Sequence, residues 1–250
     1  MSEIGSTERL DIALVARGLV PTRARARDLV LRGRVTVDGR VALKPSLAVG
    51  PGTKLDVAAD EARMVSRGRL KLEAALDRFG LSCDGLVCLD VGASTGGFSE
   101  LLLERGAARV YAVDVGTGQL HERLRADPRV VSLEGQDARQ LTPEIIPERP
   151  GAIVADVSFI SLTKVLPAAL ALAAPGAWLV ALVKPQFEVG PEHVSKTGIV
   201  RDPSAREAAV AKTGRWLDTV PGWQVLQSLE SPIAGGSGNI EYLIGARKDA

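Results

Sequence analysis

Two lysines and two carboxylates of this chain stand where apolar runs end or helical stretches begin. Asp156 closes Ala152-Ile-Val-Ala-Asp156, and Lys184 closes Trp178-Leu-Val-Ala-Leu-Val-Lys184. Glu241 opens the last strand candidate, in Gly238-Asn-Ile-Glu-Tyr242, and Lys71 begins a helical stretch. Burying any of these charges alone is costly, so each must pair or face a cleft. Gathered at one sheet edge, they suit the deprotonation of a weakly acidic hydroxyl such as a ribose 2′-OH. A lysine there stabilises the developing alkoxide, while the acids orient the lysines and tune them. Spacing alone leaves a second reading equally open: two structural salt bridges.

A second cluster is the stretch Leu86-Val-Cys-Leu-Asp-Val-Gly-Ala-Ser-Thr-Gly-Gly-Phe98. An apolar run ends in Asp90, a glycine-rich turn follows, and helix-like sequence starts near Phe98. Glycine lets the backbone turn sharply and approach a ligand closely. In an open parallel sheet this strand-to-helix turn is where a nucleotide-like cofactor binds. Asp114 ends the next strand, Val110-Tyr-Ala-Val-Asp114, where a carboxylate either binds the two hydroxyls of a ribose or caps a following helix. Asp137, after the third strand, either meets an adenine amino group or is a plain loop acid. His121, in a helical stretch, and His193, in a loop, receive no catalytic role. No His/Cys cluster has metal-ligand spacing, so no metal is expected.

These residues need a frame to hold them. From residue 71 onward strand signals at 86–91, 109–114, 130–133, 152–157, 177–183, 223–229 and 240–246 alternate with helical stretches at 97–105, 117–125, 161–173 and 203–218. Such alternation predicts a parallel, doubly wound α/β sheet. The last two strands are joined by Pro/Gly-rich sequence without a crossover helix, so they are expected to pair antiparallel. That outline is the class I S-adenosylmethionine-dependent methyltransferase fold, with seven strands. The longest uncharged run, Val165 to Val183, contains Pro175-Gly176 and reads as a helix followed by a buried strand rather than a membrane span. Cys83 and Cys88 are too few for a disulfide scaffold and read as core residues in a reducing cytosol.

Charge marks a separate amino-terminal module. Net charge is +1 overall, but residues 1–70 carry 13 Lys/Arg against 8 Asp/Glu, and residues 17–44 carry 8 against 2. A basic module of this kind finds a polyanion. Leu10, Ala13 and Leu14 share one helical face, Thr22 can cap a second helix over 23–31, and Asp38-Gly39 marks a hairpin. Arg23, Arg25, Arg27, Arg32 and Arg34 cluster on and after that second helix, with Asp28 as the only acid at helical spacing. The cluster is read as a phosphate-contacting surface rather than a solvated helix face. The domains are thus expected at 1–58 and 71–250, with 59–70 as linker.

With Arg-Leu-Asp near its start and Leu29-Val-Leu-Arg-Gly-Arg-Val-Thr-Val-Asp-Gly39 in its middle, the module resembles the S4 RNA-binding domain. The larger part resembles the TlyA family, which joins an S4 domain to an FtsJ-like methyltransferase domain. The motifs that carry this are Val65-Ser-Arg-Gly-Arg-Leu-Lys-Leu72, Asp90-Val-Gly-Ala-Ser-Thr-Gly-Gly-Phe98, Val113-Asp-Val-Gly-Thr-Gly-Gln-Leu120, Asp156-Val-Ser-Phe-Ile-Ser-Leu162, Lys184-Pro-Gln-Phe-Glu-Val-Gly190, Gly198-Ile-Val-Arg-Asp-Pro203 and Gly238-Asn-Ile-Glu-Tyr242. The resemblance implies methyl transfer from S-adenosylmethionine to the 2′-hydroxyl of cytidines in ribosomal RNA, with ribosomal subunits as partners. It implies catalysis by Lys71, Asp156, Lys184 and Glu241. Cofactor contacts are implied at Asp90, Gly92, Ser94, Thr95, Gly96, Phe98 and Asp114, with Asp137 at the adenine edge. Arg9, Arg23, Arg25, Arg27, Arg32, Arg34 and Arg67 are the candidate RNA contacts.

Two positions depart from the family pattern. Glu134-Gly-Gln-Asp137 replaces a Glu-Arg-Thr-Asn-like segment. Arg69 stands where relatives have a small residue, either adding a phosphate contact or simply tolerated. The segment Pro185–Pro203 is expected to be a mobile flap over cofactor or RNA. With no leader-like sequence at residues 1–8, a cytoplasmic protein without stable membrane association is expected. Two rival readings are a non-catalytic ribosome-binding factor that keeps the cofactor and, since some relatives carry a haemolysin label, a membrane-lytic protein.

Overall fold

Strands β6 (Val87–Val91), β7 (Arg109–Asp114), β9 (Ala152–Ala155) and β10 (Trp178–Val183) are buried along nearly their whole length. Leu89, Val91, Tyr111, Val113, Ile153, Ala155, Leu179 and Ala181 enter one apolar cluster. Their neighbours Cys88, Val110, Ala112, Val154, Val180 and Leu182 enter another. A sheet whose successive side chains go to opposite faces, both apolar, must be covered on both sides. Helices α3 (Arg69–Phe79) and α4 (Gly97–Glu104) cover one face through Leu72, Leu76, Leu101 and Leu102. Helices α6 (Leu162–Val165), α7 (Pro167–Leu172) and α9 (Pro203–Leu217) cover the other through Leu162, Val165, Leu170 and Leu217.

The computed structural model describes residues 7–20, 22–58, 64–235 and 238–250. By internal contacts the chain divides into two units, Met1–Met64 and Val65–Ala250. In the second unit, adding β8 (Val130–Glu134), β11 (Trp223–Glu230) and β12 (Tyr242–Lys248), the seven strands lie in the order β11-β12-β10-β9-β6-β7-β8. Only β12 runs against its neighbours. The last two strands do pair antiparallel, but β12 inserts between β10 and β11 rather than extending the edge. The sheet starts at the interior strand β6, builds β7 and β8 to one side and returns to β9 on the other. The carboxyl ends of β6 and β9 are therefore the switch point where such sheets bind ligands.

Two expected helices are cut short for local reasons. Over 117–125 only α5 (Glu122–Arg125) forms. The backbone N–H groups of Gly116, Gln119 and Leu120 go instead to the carboxylates of Asp114 and Glu134, and Gly118 has φ +67. His121 lies just outside this helix and caps it, its Nδ1 accepting from Arg123 N at 3.2 Å. The stretch 161–173 splits into α6 and α7 at Pro167, which lacks the donor needed to continue a helix. The uncharged run 165–183 is thus the end of α6, α7 and β10. Among the described residues no helix is long and apolar enough to cross a membrane. Cys83 and Cys88 are buried free thiols.

The first unit holds α1 (Leu10–Ala16) and α2 (Arg23–Leu31) with β2 (Val35–Val37), β3 (Arg40–Val41) and β5 (Leu55–Val57) in a three-stranded sheet. A second, two-stranded pair joins β1 (Glu8–Arg9) to β4 (Ala48–Val49). Thr22 caps α2, its Oγ1 accepting from Arg25 N at 3.2 Å. Asp38 and Gly39 take the positive φ values, 49° and 78°, that a tight hairpin requires. Of the expected linker, residues 59–63 lie outside the described residues. Its later part is ordered structure of the second unit: Val65 N donates to Glu100 at 2.9 Å, and α3 starts at Arg69.

Candidate active site

Gly92 follows β6 with φ +83, and a Cβ there would stand 2.6 Å from the carbonyl oxygen of Asp156. Only glycine allows the ends of β6 and β9 to approach this closely. Around that contact lie two cavities. The larger, about 450 Å³, is lined by Val113, Asp114, Gln119, Asp137, Phe159 and Ile160, among others. The smaller, about 200 Å³, is lined by Ser66, Gly68, Thr95, Phe98 and Lys184, among others. Both also touch Gly92, Ser94, Asp156 and Ser158, so one residue set forms the seam between them.

Asp114 bridges the loops at the mouth of the larger cavity. Its carboxylate accepts from Ser94 N at 2.8 Å and from Gly116 N at 2.7 Å. Helix capping is excluded for Asp114, because the next helix begins only at Glu122. Asp137 is a loop acid that stands at the cavity wall. It also caps the 3-10 turn Ala138–Gln140, with Arg139 at 2.6 Å holding its carboxyl below the ordinary range.

Two expected cofactor contacts do not reach either cavity. Asp90 is fully buried on the α4 side of β6, its Oδ2 accepting from the Ser99 hydroxyl at 2.7 Å. Desolvation, reinforced by the charge of Asp156, pushes its carboxyl up to about 7. Its Oδ1 has no hydrogen-bond partner. Gly96, at φ +99, serves packing: a Cβ would collide with Leu124. Both residues support the loop from behind, because alternation along β6 turns Asp90 away from the cleft.

The four charged residues form two separate pairs. Lys184 Nζ is 2.6 Å from Asp156 Oδ1 and donates to Ser158 Oγ at 2.9 Å, at the seam of the cavities. Lys71 Nζ is 2.6 Å from Glu241 Oε2, and neither residue lines a cavity. Glu241 therefore fixes Lys71, not Lys184. Among the described residues no group of His, Cys, Asp and Glu could hold a metal ion.

The expected flap, Pro185–Pro203, lies outside both cavity linings. The segment forms α8 (Pro185–Glu188) and a 3-10 turn (Pro191–His193), and Asn239 pins it by accepting from Val200 N at 3.0 Å and donating to Gly198 O at 2.8 Å. Asn239 lies inside the recognised Gly238–Tyr242 motif, but its burial and this tie are visible only in the structure. Arg69 is held at 2.7 Å by Glu104, with Glu100 and Glu73 nearby, so its guanidinium answers acids rather than a phosphate. Sequence reasoning assigned no role to Ser158, Phe159 or Gln119, although all lie inside the recognised motifs. Phe159 is the plainest of them, 90% exposed at φ 65.

In the first unit, an acid that helical spacing did not reveal organises the arginines. Asp11 is fully buried, yet its two carboxylate oxygens receive Arg9 and Arg23, each at 2.9 Å. The arginine hydrogen bonds hold its carboxyl at about 2. Asp28 pairs with Arg25 at 3.6 Å and with Arg32 at 3.4 Å. Arg27 is exposed, and Arg34 and Arg67 are half-buried.

A family model described as FtsJ-like methyltransferase matches residues 64–248, and one described as S4 domain matches residues 8–55. The chain is 50% identical over 240 residues to the 16S/23S rRNA (cytidine-2'-O)-methyltransferase TlyA of Mycobacterium tuberculosis (strain ATCC 25618 / H37Rv), covering 96% of this chain and 89% of the relative. It is 40% identical over 237 residues to Hemolysin A of Brachyspira hyodysenteriae, covering 94% and 98%. A solved hemolysin-named structure from Streptococcus thermophilus superposes with a TM-score of 0.76 at 42% identity, covering 98% of this chain and 89% of that one.

Proposed function

The chain belongs to the FtsJ-like methyltransferase family, in the TlyA group that carries an S4 domain, and we propose that it transfers a methyl group from S-adenosylmethionine to the 2′-hydroxyl of cytidine in ribosomal RNA. The observation that carries this reading is the 2.6 Å contact of Lys184 with Asp156 at the seam of two cavities. One cavity fits the cofactor and the other lies beside it for the acceptor.

The larger cavity suits S-adenosylmethionine, since small-molecule sites run to about 300–1,000 Å³ and are mostly apolar with a few placed polar groups. Val113, Val115 and Ile160 supply apolar wall, Asp114 suits the ribose hydroxyls, and Asp137 stands at the adenine edge. When bound, the cofactor supplies an electrophilic methyl on a sulfonium. Lys184 would donate to the 2′-oxygen and steady the charge that develops as the hydroxyl proton passes to water. Asp156 and Ser158 hold that ammonium in one place, which limits the geometries available to the acceptor. Lys71 and Glu241 set the charge behind the site. Arg9, Arg23, Arg25, Arg27, Arg32, Arg34 and Arg67 meet RNA phosphates. The ribosomal substrate implies work in the cytoplasm.

The test is methyl transfer from radiolabelled S-adenosylmethionine to each ribosomal subunit from cells lacking the enzyme. Label in RNA that a 2′-deoxy target blocks, with Lys184→Ala lowering the rate about 10²- to 10³-fold, is the expected result. Cofactor binding without label on either subunit would replace this reading with a non-catalytic factor.

A further inference from the structure

Strands β9 and β10 run parallel side by side, with Ala155 level with Ala181. The segments that leave them remain fastened to each other at three successive places. At the first, Lys184 meets Asp156 and Ser158. At the second, the ring of Phe187 packs on that of Phe159, with centroids 5.2 Å apart and planes tilted by 50°. At the third, the Glu188 carboxylate accepts from the Ser161 hydroxyl at 2.6 Å and from Leu162 N at 2.8 Å.

The third fastening is the unexplained one. Glu188 is only 4% exposed and lines neither cavity, so its charge serves something inside the protein. Its two partners are the cap and first residue of α6, where the loop from Asp156 ends. An ionised acceptor makes stronger hydrogen bonds than a neutral one. Lys212 Nζ also donates to the Glu188 carbonyl at 2.9 Å, which anchors the end of α8.

Between the outer fastenings lies Phe159 at φ 65, a left-handed conformation that bulky side chains rarely adopt. Such a backbone persists only when its surroundings over-determine it. Here the surroundings are Lys184 on one side of Phe159 and Glu188 on the other.

We propose that Glu188 is a positioning residue for methyl transfer: by gripping Ser161 and Leu162 it holds the 156–160 loop, and through it the Asp156–Lys184 pair, in register with the cavities. This rests on the roles given to Lys184 and Asp156 under the proposed function. Glu188 itself touches no reacting atom.

The experiment compares wild type, Glu188→Ala, Glu188→Gln, Ser161→Ala and Lys184→Ala on ribosomal subunits. The rate is expressed per cofactor-binding molecule, with cofactor affinity measured by calorimetry. Glu188→Ala is expected to lower kcat about 10- to 100-fold, the scale of a small misplacement at a reacting centre. Glu188→Gln is expected to restore most of it, because the amide oxygen still accepts from Leu162 N and the amide nitrogen can donate to Ser161 Oγ. A residue that only stabilises the fold would lower the folded fraction and leave kcat per binding-competent molecule unchanged; that result overturns the proposal. Glutamine as slow as alanine also overturns it. If Glu188→Ala fails to fold, Ser161→Ala carries the test, and an unchanged kcat there has the same meaning. An inactive wild type would instead defeat the proposed function itself, and a fully active Lys184→Ala the roles given there to Lys184 and Asp156.

Discussion

Lys71 Nζ lies 2.6 Å from Glu241 Oε2, an ion pair between residues 170 positions apart and both nearly withdrawn from solvent. Removing one partner strands a buried charge. Lys71→Met alone is expected to cost about 3–5 kcal/mol in urea unfolding, and Lys71→Met/Glu241→Leu to recover most of it. The double variant separates structure from catalysis. If it is stable but inactive in methyl transfer, the pair belongs to the reaction. A stable double variant with wild-type kcat would remove both residues from the catalytic set.

Asp90 predicts a pH dependence of stability. Its carboxyl is raised from 3.8 to about 7 in the folded state, so the native protein binds more protons than the unfolded chain between those values. The stabilisation is fully present below the unfolded value and is lost as pH rises through about 7. Asp90→Asn removes the charge that must be buried, while its amide oxygen still accepts from Ser99. Above pH 7 it should stabilise the protein by roughly 2–4 kcal/mol, with the advantage disappearing toward pH 4. Urea midpoints for both proteins across that range test this, and parallel curves would contradict it.

Asp11 predicts the opposite slope in the first unit. Its carboxyl is lowered from 3.8 to about 2, chiefly by Arg9 and then Arg23, so its contribution is present above the unfolded value and fades as pH falls toward 2. Because both arginines are about half exposed, solvent screening limits the effect, and Asp11→Asn should cost roughly 1–2 kcal/mol at neutral pH. Hydrogen exchange of the α1 and α2 amides in the whole protein would read it. Freed from Asp11, Arg9 and Arg23 should also lose their fixed placement and weaken RNA binding. An unchanged RNA affinity would show that this placement is unimportant to binding.

Gly92→Ala should be poorly tolerated. The new methyl would stand 2.6 Å from the Asp156 carbonyl oxygen on a backbone with φ +83, so the ends of β6 and β9 would have to separate. The expected outcome is loss of cofactor binding in calorimetry, even where folded protein is recovered. Normal cofactor affinity would mean that the two strand ends have more freedom than this contact implies.

Much of the frame was legible because it is local. Short apolar runs define β6, β7, β9 and β10, Gly92 and the loop after it mark the turn, and Asp156 and Lys184 stand at strand ends. Helix lengths were less legible. Asp114 and Glu134 compete for the backbone donors of 116–120, and a pattern of apolar spacing does not register such competition.

The sequence by itself determined two modules, a mostly parallel sheet with an antiparallel pair, and the identities of the charged residues at its edge. Tertiary structure decided their partners. That Lys71 meets Glu241 follows from packing α3 against β12 inside the sheet, and that Lys184 meets Asp156 follows from β9 and β10 being parallel neighbours. That Asp11 gathers Arg9 and Arg23, and that Glu188 grips the start of α6, depends on which elements pack together. The physical reason is range: propensity and periodicity act over a few residues, whereas an ion pair is chosen by distance and desolvation in the folded chain, whatever the separation in sequence.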